Sequence, residues 1–138
     1  MKLHCPTAQE IESRLRGAGV RPTAQRIAVA QFVLCSADHP TAEDVKKWTD
    51  ENFPKLSMAT VYNTLAALVE AGLLRKFSLP HSSSVIYDQN IQSHNHFLDE
   101  KSGKLYDLGA GEVAVHLKPG TRATVKRMDI LLRGDWGK

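Results

Sequence analysis

Cysteine is scarce in this chain: its 138 residues contain only Cys5 and Cys35. Two thiols are too few for a disulfide scaffold, and unpaired thiols are typical of a reducing compartment. We therefore expect Cys5 to be a thiol near the chain end and Cys35 to be a small buried residue. No apolar run approaches the ~18 residues of a membrane span, and the first ten residues lack the apolar centre of a secretory signal. These absences predict a soluble, cytoplasmic protein with no membrane partner.

A polybasic segment is also missing. The chain carries 18 Lys+Arg and 15 Asp+Glu, a formal net charge of +3. This balance permits a polyanionic partner without requiring one, so any nucleic acid has to be bound by a focused surface rather than by bulk charge. The contents of 42% hydrophobic and 24% charged residues are ordinary for globular proteins and exclude wholesale disorder.

Four helix signals fill the first half of the chain. Apolar residues recur behind each at helical spacing, and Gly72 ends the last one. Residues 73–79 and 84–87 are rich in β formers and flank a loop signal, which predicts a hairpin. Helices closed by a hairpin form a winged helix-turn-helix in outline, with residues 57–71 in the recognition position, although similar packages also serve as protein-interaction modules. The four helix starts carry a hydroxyl residue that caps the first turn: Thr7, Thr23, Thr41 and Ser57.

The rest of the chain predicts a smaller unit, with strands at 94–99 and 104–108, a short helix near 112–117 and a last strand at 123–132. About 50 residues are too few to bury a good core alone, so we expect this unit to complete its sheet against a second copy. The predicted fold class is α+β. It consists of an N-terminal winged helix-turn-helix domain at 1–87 and a small C-terminal α/β dimerisation domain at 88–138, with a hinge near Asp88–Ser93.

The first turns of the fourth helix carry small and polar side chains that suit a DNA major groove. Hydroxyl and amide groups bind base edges, and an alanine methyl can contact a thymine methyl. Basic residues on the second helix and at the foot of the hairpin are candidate phosphate contacts. The alternative is a capped surface helix whose Tyr62 is a partly buried aromatic, and from the residues alone the two interpretations have equal weight. The predicted DNA-binding residues are Arg21, Ala59, Thr60, Tyr62, Asn63, Thr64 and Lys76.

The segment His94-Asn95-His96 predicts a metal site. In a strand both imidazoles lie on one face, and a hairpin that turns at 100–103 places His96 opposite Asp107. Two imidazoles and a carboxylate then converge, as a first-row divalent metal requires. His39 and Asp88 add two more ligand groups. Each has an ordinary alternative, since a histidine before proline often just ends a helix and an aspartate often forms a turn.

The most distinctive segments of the chain are Gly19-Val20-Arg21-Pro22-Thr23-Ala24-Gln25-Arg26, His39-Pro40-Thr41-Ala42-Glu43-Asp44, Ala59-Thr60-Val61-Tyr62-Asn63-Thr64-Leu65 and His94-x-His96. These segments resemble those of the Fur superfamily of metal-dependent bacterial repressors. The resemblance extends from about residue 7 to 108. It implies a winged-helix DNA-binding domain, a dimerisation domain, and a homodimer on an AT-rich palindromic operator in double-stranded DNA.

The resemblance also implies one regulatory metal site per subunit, which holds Fe²⁺ or Mn²⁺ and, in vitro, Zn²⁺. Most members also hold a structural zinc through a Cys-x-x-Cys just after the histidines. Asp99 and Ser102 stand at those positions here, so no Cys-bound structural zinc is expected. This loss resembles PerR-like members of the family. The regulatory ligands carried over from the family are His39, Asp88, His94, His96 and Asp107.

The carboxylate at Asp107 bears on the signal. Within the family, peroxide sensors tend to have Asp at this position and iron sensors tend to have Glu. The resemblance therefore implies a repressor that responds to oxidative stress, with His39 or His94 as the imidazole that is oxidised. One alternative is an iron- or manganese-responsive Fur- or Irr-like regulator that senses metal occupancy. A remote alternative is a metallohydrolase, because a His/Asp site with an open position activates water; we expect a regulator and no enzyme.

Overall fold

The computed structural model describes residues 5–78, 83–91, 94–109, 111–126 and 128–137. The chain divides into two compact units, Met1–Ile91 and Gln92–Lys138. Asp88, which the predicted boundary assigns to the second domain, lies in the first unit. None of the described helices is long and apolar enough to cross a membrane.

The first unit contains four α-helices, which we number α1 (Ala8–Gly17), α2 (Ala24–Gln31), α3 (Ala42–Asn52) and α4 (Met58–Glu70). A π-helical turn, Phe32–Ser36, follows α2 directly. The cap predictions are confirmed: each capping side chain accepts a hydrogen bond from the backbone N–H three residues further on. These hydrogen bonds explain why the helices begin where they do.

The core of the first unit lies between the helices. Ile11 and Leu15 of α1 and Leu65 and Leu68 of α4 are fully buried, because their three- and four-residue spacing puts them on one face. Trp48 of α3 is half-buried and stacks on the ring of Phe32. Two antiparallel strands, β1 (Arg75–Ser78) and β2 (Val85–Asp88), form the predicted hairpin. The winged-helix architecture is confirmed.

The expectation of two separate thiols is wrong, because Cys5 and Cys35 form a disulfide with a Cα–Cα distance of 5.1 Å. The sequence separation of 30 residues concealed the pairing. The chain runs out along α1 and back along α2, so the turn after α2 returns to the segment that precedes α1. Periodicity shows each helix but not this return.

The second unit contains a three-stranded sheet of β3 (Asn95–Asp99), β4 (Leu105–Leu108) and β5 (Leu131–Gly134), in the order β4-β3-β5. The β3–β4 pair is antiparallel and the β3–β5 pair is parallel. Alternation along β3 puts Phe97, Tyr106 and Leu132 on one face of the sheet, and His96 and Asp107 on the other.

Two predicted elements of this unit are wrong. Residues 112–117 are not helical: Val115 and Leu117 are exposed, and their two-residue spacing does not put them on one helix face that could pack. The last strand is limited to Leu131–Gly134 instead of 123–132. Its first residue, Leu131, pairs with His96 near the N-terminal start of β3. The described residues before Ile130 therefore lie beyond that start, where β3 offers no backbone for them to pair with.

Candidate metal centre and nucleic-acid interface

A loop between the π-helical turn and α3 positions His39. The Tyr87 N–H donates a hydrogen bond of 2.8 Å to the carbonyl of Pro40, and Thr41 forms an isolated bridge with Ile86. Both contacts hold the loop against β2. His39 itself adopts a φ of 46°, in the left-handed region that residues other than glycine rarely enter. The surrounding contacts thus maintain an uncommon backbone conformation next to the strand that ends in Asp88.

His39 and Asp88 form the first pair of candidate ligands. The Nε2 of His39 lies 3.3 Å from the Oδ2 of Asp88, and the two side chains are 11% and 4% exposed. The other carboxylate oxygen, Oδ1, accepts a hydrogen bond of 2.9 Å from the backbone N–H of Asn90. Asp88 is therefore a buried carboxylate that is oriented on one side by the backbone and on the other by an imidazole.

Asp38 was missed by sequence analysis, although its position next to His39 was an available signal. Its Oδ1 lies 2.7 Å from the Nδ1 of His39. A neutral imidazole has one donor and one acceptor nitrogen. A proton on Nδ1 that is directed at Asp38 leaves the lone pair on Nε2, the nitrogen that faces Asp88. Carboxylates commonly hold metal-binding histidines in this way.

The second unit holds the other three candidate ligands. The predicted register is confirmed, with His96 directly opposite Asp107. The Oδ1 of Asp107 lies 3.5 Å from the Nε2 of His94 and 3.6 Å from the Nε2 of His96. Both imidazoles are buried, whereas the carboxylate side chain is 37% exposed. One carboxylate oxygen therefore faces two buried imidazole nitrogens.

The spacings within each unit fit a shared metal ion. Nitrogen and oxygen ligands lie about 2.0–2.2 Å from a first-row metal, which puts neighbouring ligand atoms roughly 3–3.6 Å apart. The distance of 3.3 Å between His39 and Asp88 and the distances of 3.5 and 3.6 Å to Asp107 are of this size. Imidazole and carboxylate together suit Fe²⁺, Mn²⁺ and Zn²⁺.

Asp99 and Ser102 form a turn between β3 and β4. The Ser102 hydroxyl donates to Oδ2 of Asp99 at 2.8 Å, and the Lys101 N–H donates to Oδ1 at 3.2 Å. The Ser102 hydrogen bond is the largest of the effects that lower the pKa of Asp99, so this carboxylate stays ionised. The two positions at which the family resemblance leads one to expect cysteines are thus joined by their own side-chain hydrogen bond.

The start of α4 presents most of the predicted DNA-binding side chains. Ala59, Tyr62 and Asn63 are exposed, and Thr60 is half-buried. Thr64 is a correction: it is fully buried, and its hydroxyl donates to the Thr60 carbonyl at 2.8 Å, so it cannot contact a base. It lies three residues after the buried Val61 and therefore on the core side of the helix. Arg21 and Lys76 are exposed, as phosphate contacts require.

Tyr62 does not belong to the core. Its side chain is 46% exposed, and its hydroxyl donates to Oε2 of Glu43 on α3 at 3.2 Å. This hydrogen bond and the negative charge of Glu43 raise the pKa of Tyr62, so the phenol keeps its proton. This exposed fraction is compatible both with a partly buried surface aromatic and with a DNA contact. The contact between Tyr62 and Glu43 could not be predicted from periodicity, because the two residues lie on different helices.

Comparison with known proteins agrees with this architecture. Residues 17–119 match the model of the ferric uptake regulator family. The peroxide-responsive repressor PerR of Staphylococcus epidermidis is 37% identical over 100 residues, which are 72% of this chain and 66% of that protein. The chain thus spans just under two thirds of that relative.

Solved structures are similar over more of the chain. A structure described as the basis for peroxide sensing and gene regulation by PerR from Streptococcus pyogenes has a TM-score of 0.54 at 26% identity, covering 98% of this chain and 92% of that one. The Helicobacter pylori ferric uptake regulator Fur has a TM-score of 0.69 at 18% identity, covering 98% and 94%, and shows the fold alone. The match to the family model over residues 17–119, which is most of the chain, establishes that this protein belongs to the ferric uptake regulator family.

Proposed function

We propose that the protein is a metal-dependent, DNA-binding transcriptional repressor of the peroxide-responsive type. It is a regulator rather than an enzyme, and it acts as a homodimer in the cytoplasm, where its DNA lies. Two observations carry the proposal: each unit holds a cluster of candidate ligands, and α4 of the first unit exposes groups that suit base contacts. The peroxide-responsive relative supports the choice of signal.

One ion per subunit is bound by all five ligand residues in this proposal. The first unit supplies His39 and Asp88, and the second supplies His94, His96 and Asp107. Three nitrogens and two carboxylates suit Fe²⁺ and Mn²⁺, and they accept Zn²⁺ in vitro. Asp88 and Asp107 repel each other when brought together, and a dication removes that repulsion. Metal binding therefore couples the two units.

This coupling accounts for metal-dependent repression. A ligand shifts a protein towards the arrangement that it binds best. An ion that takes ligands from both units selects the arrangement with all five in place. In a dimer, that arrangement sets the two α4 helices to enter successive major grooves, about 34–36 Å apart.

Contacts with DNA are assigned to the exposed residues. Thr60 and Asn63 contact base edges from the first turns of α4, with Tyr62 beside them, and the Ala59 methyl suits a thymine. Arg21 and Lys76 contact phosphates and set the orientation of the domain. The expected operator is an AT-rich palindrome, because a twofold-symmetric dimer reads two inverted half-sites.

The peroxide response depends on the imidazoles. An Fe²⁺ ion held by the five ligand residues would activate hydrogen peroxide at the site. The peroxide would then transfer one oxygen atom to the imidazole of His39 or His94 and leave as water, and an oxidised imidazole binds metal poorly. With that ligand lost, the two units are no longer held together and the DNA is released.

The first test separates a repressor from the other candidate functions. Protein loaded with Mn²⁺ selects operators from random double-stranded DNA, and the selected sequences are then titrated with and without the ion. We expect tight binding with Mn²⁺ and loss of binding after chelation. Equal binding in both states would contradict metal control, and no selected sequence at all would favour a protein-interaction module or a metallohydrolase.

The second test identifies the signal. Protein loaded with Fe²⁺ and protein loaded with Mn²⁺ receive mild peroxide, followed by peptide mass spectrometry and an operator titration. We expect one added oxygen atom on His39 or His94 in the iron form alone, with release of DNA. If both forms stay unmodified and bound to DNA, the protein senses metal occupancy, as an iron- or manganese-responsive member would.

A further inference from the structure

The Cys5–Cys35 disulfide lies outside the ligand clusters and the proposed DNA contacts. Cys5 is exposed and stands two residues before the N-cap of α1, whereas Cys35 is half-buried in the π-helical turn that follows α2. The Cα–Cα distance of 5.1 Å is within the range that a disulfide spans without backbone movement. No role in metal or DNA binding accounts for this pair.

Contacts that do not involve the sulfurs hold both cysteines in place. Pro6 is buried, and the reciprocal hydrogen bonds between Thr7 and Glu10 fix the direction in which the chain enters α1. At the other end, the Ala37 N–H donates to the Phe32 carbonyl at 2.8 Å and closes the π-helical turn. These contacts order the backbone on both sides of the pair without using the S–S bond, so we expect the two sulfurs to stay close to each other when they are reduced.

The cytoplasm, where we propose that the protein acts, determines what such a pair of cysteines can do. Cytosolic thiols are kept reduced, and disulfides found there are usually transient and either catalytic or redox-sensing. Because Cys5 is exposed, oxidants and reducing thiols can reach the pair. We propose that Cys5 and Cys35 are a reversible thiol–disulfide site that hydrogen peroxide oxidises without help from the metal. This inference rests on the proposed function, which supplies both the cytoplasmic compartment and hydrogen peroxide as the oxidant.

The chemistry balances with one peroxide per pair. The Cys5 thiolate attacks a peroxide oxygen, the O–O bond breaks, one water leaves after protonation, and the sulfur becomes a sulfenic acid. The Cys35 sulfur then attacks that sulfur, the S–O bond breaks, and a second water leaves. Two thiols and one hydrogen peroxide give one disulfide and two waters, with two electrons passing from the sulfurs to the peroxide.

The bond restrains a defined part of the first unit. It closes a loop around α1 and α2 and fastens the segment before α1 to the turn after α2. That turn leads within a few residues to Asp38 and His39. The thiol state therefore acts on the helical part of the DNA-binding unit and on the backbone that presents one candidate metal ligand.

The test uses the full chain loaded with Mn²⁺, so that iron-dependent imidazole oxidation does not contribute. The protein is reduced, freed of reductant and treated with one equivalent of hydrogen peroxide per subunit. Maleimide-reactive thiols are counted, and intact mass is measured. We expect two reactive thiols to fall to none, with a loss of two hydrogen atoms per chain, and dithiothreitol to restore both thiols. Cys5→Ser and Cys35→Ser are matched controls that cannot form the internal bond.

Two results would overturn the proposal. One is persistence of both thiols after peroxide, or their conversion only to links between chains or to higher sulfur oxides. The other comes from rapid acid trapping of the protein from its own cells: a pair that is already bonded without stress is a permanent structural disulfide. These outcomes are independent of imidazole oxidation in the iron form, so failure of this proposal and failure of peroxide sensing at the metal are read separately.

Discussion

Among the described residues of the first unit, the buried side chains are mostly apolar, and the buried polar ones are Thr49, Thr64 and Asp88. The described buried residues of the second unit are Leu105 and Leu108 together with His94, Asn95 and His96. The first unit therefore gains its stability from its own apolar core, at about 25 cal/mol per Å² buried. The second unit uses its interior to hold candidate metal ligands. A sheet built this way depends on what binds to it, either an ion or another protein surface.

The second unit also exposes a cluster of large apolar side chains. One face of the second unit's sheet carries Phe97, Tyr106 and Leu132, and Trp136 stacks on Tyr106 at a centroid distance of 4.2 Å. Leu132 and Trp136 are 42% and 41% exposed. Large exposed apolar groups in a cluster mark an interaction surface. We assign this aromatic face to the proposed dimer, in agreement with the small core of the unit.

The largest expected effect tests whether the second unit depends on metal. Asp107→Ala removes the carboxylate that faces both imidazoles. We expect operator affinity at fixed Mn²⁺ to fall by at least about 100-fold, since loss of even a supporting residue around a metal costs about 10–100-fold. Titration calorimetry with Mn²⁺ and operator binding by fluorescence anisotropy measure the loss.

The matched control for this variant is Asp135→Ala, which removes an exposed carboxylate of the same unit. It should retain metal and operator binding. An Asp107→Ala protein that still bound DNA in a Mn²⁺-dependent way would contradict the ligand assignment.

The second prediction concerns the stability of the first unit. Reduction of the Cys5–Cys35 bond opens a loop of 30 residues, and chain entropy then lowers the free energy of unfolding of that unit by roughly 3–4 kcal/mol. Trp136→Phe leaves Trp48 as the single tryptophan, so its fluorescence in a urea titration reports on the first unit alone. Equal midpoints with and without reductant would show that the bond adds no stability.

The third prediction tests the aromatic face as the dimer surface. Leu132→Asp puts a charge at the centre of an apolar interface, and both copies of the dimer carry the change. Loss of leucine burial at roughly 1.5 kcal/mol or more per copy weakens the dimer by about 3 kcal/mol, or more than 100-fold. Sedimentation equilibrium measures this, with Lys118→Asp as a control at an exposed polar position. If the dimer dissociation constant were unchanged, the dimer interface would have to lie on another surface of the protein.

Sequence reasoning succeeded where the signal was local. The four caps, the buried stripes and the register of His96 with Asp107 follow from spacing along one or two neighbouring elements. It failed where distant segments meet, as in the Cys5–Cys35 disulfide, because periodicity does not report the path of the chain. It also failed at 112–117 and at the described residues of 123–130, where a local pattern has no described neighbouring element to pack against or pair with.

The fourth prediction tests how the loop in the first unit prepares a ligand. Asp38→Asn replaces the carboxylate that lies 2.7 Å from Nδ1 of His39. Since such a partner sets the tautomer and orientation of a ligand histidine, we expect Mn²⁺ affinity to fall by about 10–100-fold. Nitrogen NMR of the metal-free protein should show a shift in the His39 tautomer, a change that a purely structural role would not produce. Asp50→Asn, at an exposed position on α3, is the control. Unchanged affinity and tautomer would exclude this role.

The smallest expected effect is at the DNA surface of the first unit. Tyr62→Ala removes an exposed ring from the first turns of α4, outside the apolar core, so folding and metal affinity should be unchanged. Loss of a base contact weakens operator binding by roughly 1–3 kcal/mol, or about 5- to 150-fold.

Tyr62→Phe keeps the ring and removes only the hydroxyl that donates to Glu43. If the ring makes the contact, Tyr62→Phe binds almost as well as the unaltered protein. If the Glu43 hydrogen bond holds the ring in position, both variants lose affinity and Glu43→Gln, which retains an acceptor, loses less. Operator titrations at saturating Mn²⁺ distinguish these cases. If Tyr62→Ala bound the operator with full affinity, Tyr62 would not be part of the DNA interface.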